Sequence, residues 1–160
     1  MPWRNFLLVL HVGGAIALFG PTFTFPFFGV MAKKHGGDAK TLLRLEHLVV
    51  KYLVMPADYV LPLSGALLIL QSKSVWDPFS SANRWLLGAI ILFTIMFVVA
   101  NFVQLPAMKK ALAMAEKGQF GPEFGAIMQK QAKVGPILGI LLVAIIVLMI
   151  VKPGSGFIHP

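Results

Sequence analysis

The chain has 160 residues, 58% hydrophobic and only 12% charged, with a mean hydropathy of +0.81; soluble domains carry about 25% charged residues, so one domain with lipid as its solvent is expected. Cysteine is absent, which excludes disulfides, thiolate metal sites, iron–sulfur clusters and covalent C-x-x-C-H haem attachment, and no Walker A, H-E-x-x-H or G-x-G-x-x-G pattern occurs. The net charge of +8 lies in short segments between apolar runs. A basic soluble face, and with it nucleic acid, is not indicated.

A helical span needs about 20 mostly apolar residues. Four segments qualify: 6–30, 45–70, 85–106 and 134–151. None alternates like a barrel strand, so an all-α membrane protein, a four-helix transmembrane bundle, is expected over the single domain 1–160. The first run follows Arg4 but is too long for a signal peptide, and no A-x-A-like cleavage site closes it; it continues through Phe19, Pro21 and Phe28 to Met31 and reads as a retained span. Gly13, Gly14 and Gly20 in it permit close backbone approach.

After the first span come Lys33, Lys34, Lys40 and Arg44. The second span holds Pro56 and Pro62, which should kink it, as Pro21 and Pro26 should kink the first. The third opens at Trp85 and ends near Asn101 and Gln104. The segment 108–133 follows, with Lys109, Lys110, Lys117, Lys130 and Lys133; an extension of helix three plus a surface helix is expected there. Arg4, Lys73, Arg84 and Lys152 are the fewer positives at the other ends, beside Trp3, Trp76 and Trp85. The positive-inside rule then makes 108–133 cytoplasmic and gives an N-out/C-out topology in a bacterial inner membrane.

Charged side chains inside a span cost about 2.5–3.5 kcal/mol each on insertion scales. Helix two concentrates them: Arg44, Lys51 and Asp58 recur at every seventh position, and His47 shares their face. At 1.5 Å per residue, His11 should be level with Met55 and Asp58, so a His11–Asp58 hydrogen bond is expected, with His47 about 10 Å deeper beside Lys51, Asn101 and Gln104. The polar groups then form an outer layer at His11/Asp58 and an inner basic layer at Arg44/His47/Lys51. A plain structural contact for the first, and side chains snorkelling to the headgroups for the second, are the simpler alternatives. Ser64 lies apart in an apolar stretch, His35 and His159 fall in a loop and a tail, and no internal repeat is evident.

Several short motifs together resemble a known group. His11 in HVGGAIALFG, Pro56 with Gly65 in helix two, Trp85 opening helix three, and Val151-Lys152-Pro153 after the last span are similar to the CopD-like bacterial membrane proteins of unknown function. They also resemble the related haem-containing membrane protoporphyrinogen oxidases. The resemblance implies that His11 matches a haem-associated histidine and Lys51 a basic residue ahead of the helix-two proline. Where the oxidases carry a His and a Lys after the helix-three Trp, this chain has Leu87 and Ala89, which points to a non-catalytic relative.

Three functions compete. The first is binding of b-type haem or porphyrin, with His11 on the iron, Met55 or an open position opposite, and Asp58, Arg44, His47 and Lys51 around it. The second is an accessory or scaffold subunit beside other membrane subunits or a second copy, for which 13 Phe and 8 Met would serve as packing surface. The third is transport of copper or a small solute along the Lys51/Asp58 stripe, although no M-x-x-M cluster faces His11.

Overall fold

The computed structural model describes residues 2–35, 38–71 and 77–153, and the side chains of all of these except 26 and 28–35. Lys73, Trp76 and His159 lie outside the described residues, as do the side chains of Lys33, Lys34 and His35. The elements in order are α1 (Pro2–His35), α2 (Ala39–Val49), α3 (Met55–Gln71), α4 (Arg84–Val99), α5 (Leu105–Glu116) and α6 (Pro122–Val151), with a 3₁₀ turn at Ser81–Asn83 before α4. A π turn at Val50–Val54 fuses α2 to α3, and another at Ala100–Gln104 fuses α4 to α5. All described secondary structure is therefore helical, in four rods long and apolar enough to cross a membrane.

Both π turns have the same cause. Pro56 and Pro106 each follow at the second residue; a proline has no N–H and its ring collides with the carbonyl four residues earlier. Widening the turn relieves that collision, and the Met55 and Leu105 N–H groups reach back to the Val50 and Ala100 carbonyls. The two sites also share sequence. Tyr52-Leu53-Val54-Met55-Pro56-Ala57 and Phe102-Val103-Gln104-Leu105-Pro106-Ala107 match as aromatic, aliphatic, variable, aliphatic, Pro, Ala. This local correspondence modifies the expectation that nothing in the chain repeats.

Helix three continues through α5 to Glu116, as expected. The surface helix expected after it is instead the opening of α6, which runs unbroken from Pro122. Gly118 makes the turn between them: its φ of 68° is left-handed, and Gly118 and Gln119 N–H groups bond the Ala115 and Met114 carbonyls. At the same end Asp38 caps α2, accepting from Lys40 N–H at 3.0 Å and the Thr41 hydroxyl at 2.6 Å. Those two bonds hold its carboxyl below the usual carboxylate range.

Two antiparallel hairpins form the bundle, α1 packing most on α3 and α4 on α6. They meet through α1 with α6 and α2 with α5. The main core is thin, with Leu18, Leu61, Ala89, Met96, Leu142 and Ile145 at its heart. A second small core sits at the Gly118 end, where Leu43 packs on Ala111 and Ala115. Many large apolar side chains point outward instead, far more than are buried: Ile16, Phe102, Ile140 and Ile150 are each at least 67% exposed. Contiguous exposure on that scale is unstable in water and expected in lipid.

Candidate functional site: polar groups inside the bundle

His11 is half-buried on the face of α1 that meets α3. Its Nδ1 lies 3.0 Å from the Leu61 carbonyl oxygen and 3.3 Å from Ser64 Oγ. Ser64 is buried, and its hydroxyl donates back to the Val60 carbonyl at 2.6 Å. With the single hydroxyl proton used there, Nδ1–H donates to the Leu61 carbonyl, and Nε2 keeps its lone pair. Nε2 has no hydrogen-bond partner among the described residues. Gly65 makes the slot for the ring: a Cβ there would stand 3.0 Å from His11 Cε1 and 3.3 Å from Nδ1.

The expected His11–Asp58 bond is not formed. Counted from the ends of the apolar runs at residues 6 and 70, His11 is five residues in and Asp58 twelve, so the two are out of register. The imidazole's bond to the Leu61 carbonyl and its packing on Gly65 set it level with Leu61–Gly65. That is about 5–10 Å farther along the rod than Asp58. Asp58 is buried and accepts from Asn101 Nδ2 at 3.2 Å through Oδ2, while its Oδ1 is buried without a partner. The same Asn101 amide also donates to the Phe97 carbonyl at 3.0 Å. Asn101 thus belongs to the Asp58 level, not to the deeper basic layer expected for it.

The basic groups of helix two do not gather around His11 either. Arg44 is exposed and pairs with Glu116 at 3.2 Å, tying the start of helix two to the end of helix three. Lys51 is exposed, its Nζ 5.1 Å from the Tyr52 ring centroid. His47 is half-buried with Nδ1 unpartnered. Met55 is half-buried six residues before Leu61, about 9 Å away along the rod. Ser64, read as isolated, is the residue that sequence reasoning missed. Its signal was present, because Ser64-Gly65 is a small polar step inside an otherwise large apolar run.

An open cleft of about 270 Å³ runs between α1 and the second rod, floored by Gly13, Gly14, Ala17, Pro56 and Ala57 and flanked by Tyr52. His11 does not line it. Gly14 is in use, its would-be Cβ 3.4 Å from Leu61 Cβ, whereas Gly13 and Gly20 face open space. Among the described residues no group of three or more His, Asp or Glu side chains converges as a metal-ion site. For haem, one feature of the donor set does fit: a histidine with Nδ1–H held by a backbone carbonyl is in the tautomer that offers Nε2 to iron.

A family model described as "Predicted integral membrane protein (DUF2269)" matches residues 5–153. The chain belongs to that family. The match takes in all four rods, His11 with its Leu61–Ser64–Gly65 setting, and the Asp58–Asn101 pair. Among the curated proteins and the solved structures nothing matches. Membership in DUF2269 therefore establishes an integral membrane protein and assigns no chemistry to it.

Proposed function

We propose that this DUF2269 protein binds b-type haem or a related porphyrin within its bundle, with His11 Nε2 as the iron ligand. The observation that carries the reading is the oriented imidazole, its Nδ1–H on the Leu61 carbonyl and its Nε2 without a partner among the described residues. The likeness of HVGGAIALFG to the CopD-like proteins and membrane protoporphyrinogen oxidases also favours it. Met55 lies too far along the rod to pair readily with His11, so the reading assigns the iron one protein ligand. A bound haem would supply one-electron chemistry; the chain's own part is to orient His11 and to surround it with apolar side chains. We place the protein in a bacterial inner membrane with the Trp85 end outside, following the positive-inside rule.

An optical spectrum of protein purified after expression with ample haem tests this. A Soret band that shifts on dithionite reduction, and is lost in His11→Ala, is expected. No band in the wild type, or an unchanged band in His11→Ala, would overturn it.

A second reading, an accessory subunit of a membrane complex, is favoured by the open small-residue cleft, where Gly13 faces empty space. It expects migration in a native gel as a larger species under mild solubilisation, and a lone small species would count against it.

A further inference from the structure

Asp58 is 3% exposed in the interior of a lipid-facing bundle. Its Oδ2 has one neutral donor, Asn101 Nδ2 at 3.2 Å, and its Oδ1 is buried with none. The ion pairs among the described residues join Arg44 to Glu116 and Lys110 to Glu123, so neither compensates it.

Among the described side chains, the elements packed around it bring no cation. On α1, the titratable group between Arg4 and Lys33 is His11, which is engaged with Leu61 and Ser64. Between Arg84 and Lys109, helix three offers the neutral Asn101 and Gln104. Between Lys133 and Lys152, α6 has no charged side chain. On its own rod, Lys51 is exposed beside Tyr52, His47 and Glu46 are more than a dozen ångströms back, about 16–18 Å by helical rise, and Tyr59 is exposed. A carboxylate so placed has neither a counter-charge nor a full set of donors, and the economical resolution is to carry a proton. With a proton on Oδ1 the group keeps the Asn101 bond at Oδ2 and loses its charge.

The backbone around the pair points the same way. Asn101 lies in the second π turn, and Asp58 comes one turn after the first, just past Pro56. π turns inside helices occur frequently at functional sites, and each proline leaves a carbonyl of the preceding turn without its helical donor. Such carbonyls are acceptors that a hydrating water can use. The Asp58–Asn101 bond also crosses from the first hairpin to the second.

We propose that Asp58 is a proton-binding site of the bundle, a carboxyl that holds its proton on Oδ1 beside Asn101 and exchanges it with water when the bundle admits one. The step is the dissociation of Asp58–COOH to a carboxylate and a hydrated proton, and its reverse. It stands independently of the haem reading, since it uses neither His11 nor iron.

The test uses the full chain in lipid nanodiscs. Infrared difference spectra should contain a protonated-carboxyl band that shifts in D₂O and disappears in Asp58→Asn. Asn101→Leu, which removes the donor, should move the band to a different frequency. Dicyclohexylcarbodiimide, which attacks buried protonated carboxyls, should modify wild type at Asp58 and leave Asp58→Asn unlabelled there. Circular dichroism establishes that both variants fold, and labelling of the wild type decides the matter if Asp58→Asn does not. Absence of the band and of labelling throughout the pH range in which the protein stays folded would overturn the proposal. Protection from labelling by sodium but not by potassium would overturn it in favour of a sodium site.

Discussion

The glycines of this chain differ in what their missing side chains do. Gly65 leaves the space His11 occupies, and Gly13 leaves space that nothing occupies. Gly65→Ala forces the imidazole to give way in a packed interface, where overpacking costs roughly 1–3 kcal/mol; the ring's bond to Leu61 should weaken with it. Gly13→Ala adds a methyl to open space and gains helix propensity of up to about 1 kcal/mol. Reversible unfolding in mixed micelles should therefore find Gly65→Ala destabilised and Gly13→Ala neutral or stabilised. Equal effects would mean that the slot at Gly65 does not constrain His11. The sequence spoke clearly of which residues are polar inside the span, and poorly of which would meet. The expected His11–Asp58 pairing treated residues five and twelve positions in from the ends of their apolar runs as level, a slip of about two helical turns. The true partner, the Leu61 carbonyl, is a backbone group and has no sequence signature.

Among the elements, the connection ends of the bundle carry ordinary helix chemistry that can be tested separately from the interior. Asp38 caps α2, and its folded carboxyl titrates below the usual range because Thr41 and Lys40 donate to it. A carboxyl whose folded pKa is depressed adds stability above its unfolded pKa, and that stability is lost as pH falls through the folded pKa. Asp38→Ala should thus be less stable than wild type at neutral pH, with the gap closing in acid; a gap that persists unchanged there would assign Asp38 no capping role. Gly118 holds a left-handed φ of 68°, so Gly118→Ala should cost about 1–2 kcal/mol, read as a shift in the same unfolding curve. The rods themselves were legible from length and hydropathy. The π turns were not: Pro56 and Pro106 announce a disturbed helix, but whether it kinks or widens depends on how neighbouring rods pack.

At the scale of the whole molecule, the hairpin pairing could not be read from the chain, since apolar faces in lipid carry no amphipathic signal to say which neighbour each rod meets. What the sequence does carry at this scale is charge asymmetry. Lys40, Arg44, Lys109, Lys110, Lys117, Lys130 and Lys133 cluster toward the end bearing Asp38 and Gly118, while Arg84 and Lys152 mark the other, where Lys152 lies over the Trp85 ring at 5.7 Å. The positive-inside rule turns that asymmetry into a topology, and the absence of cysteine makes the topology straightforward to measure. Ser81 and Gln119 are both exposed and sit at opposite ends of the third rod, so a single cysteine at either site reports one side of the membrane. A membrane-impermeant maleimide should label Ser81→Cys in intact spheroplasts and Gln119→Cys only after lysis. The reverse pattern would turn the bundle over and put the Arg44–Glu116 pair outside. It would also move His11, which lies nearer the Trp85 end, from the outer half of the membrane proposed for it to the inner half, and with it the side from which an iron held by Nε2, as proposed, would exchange electrons.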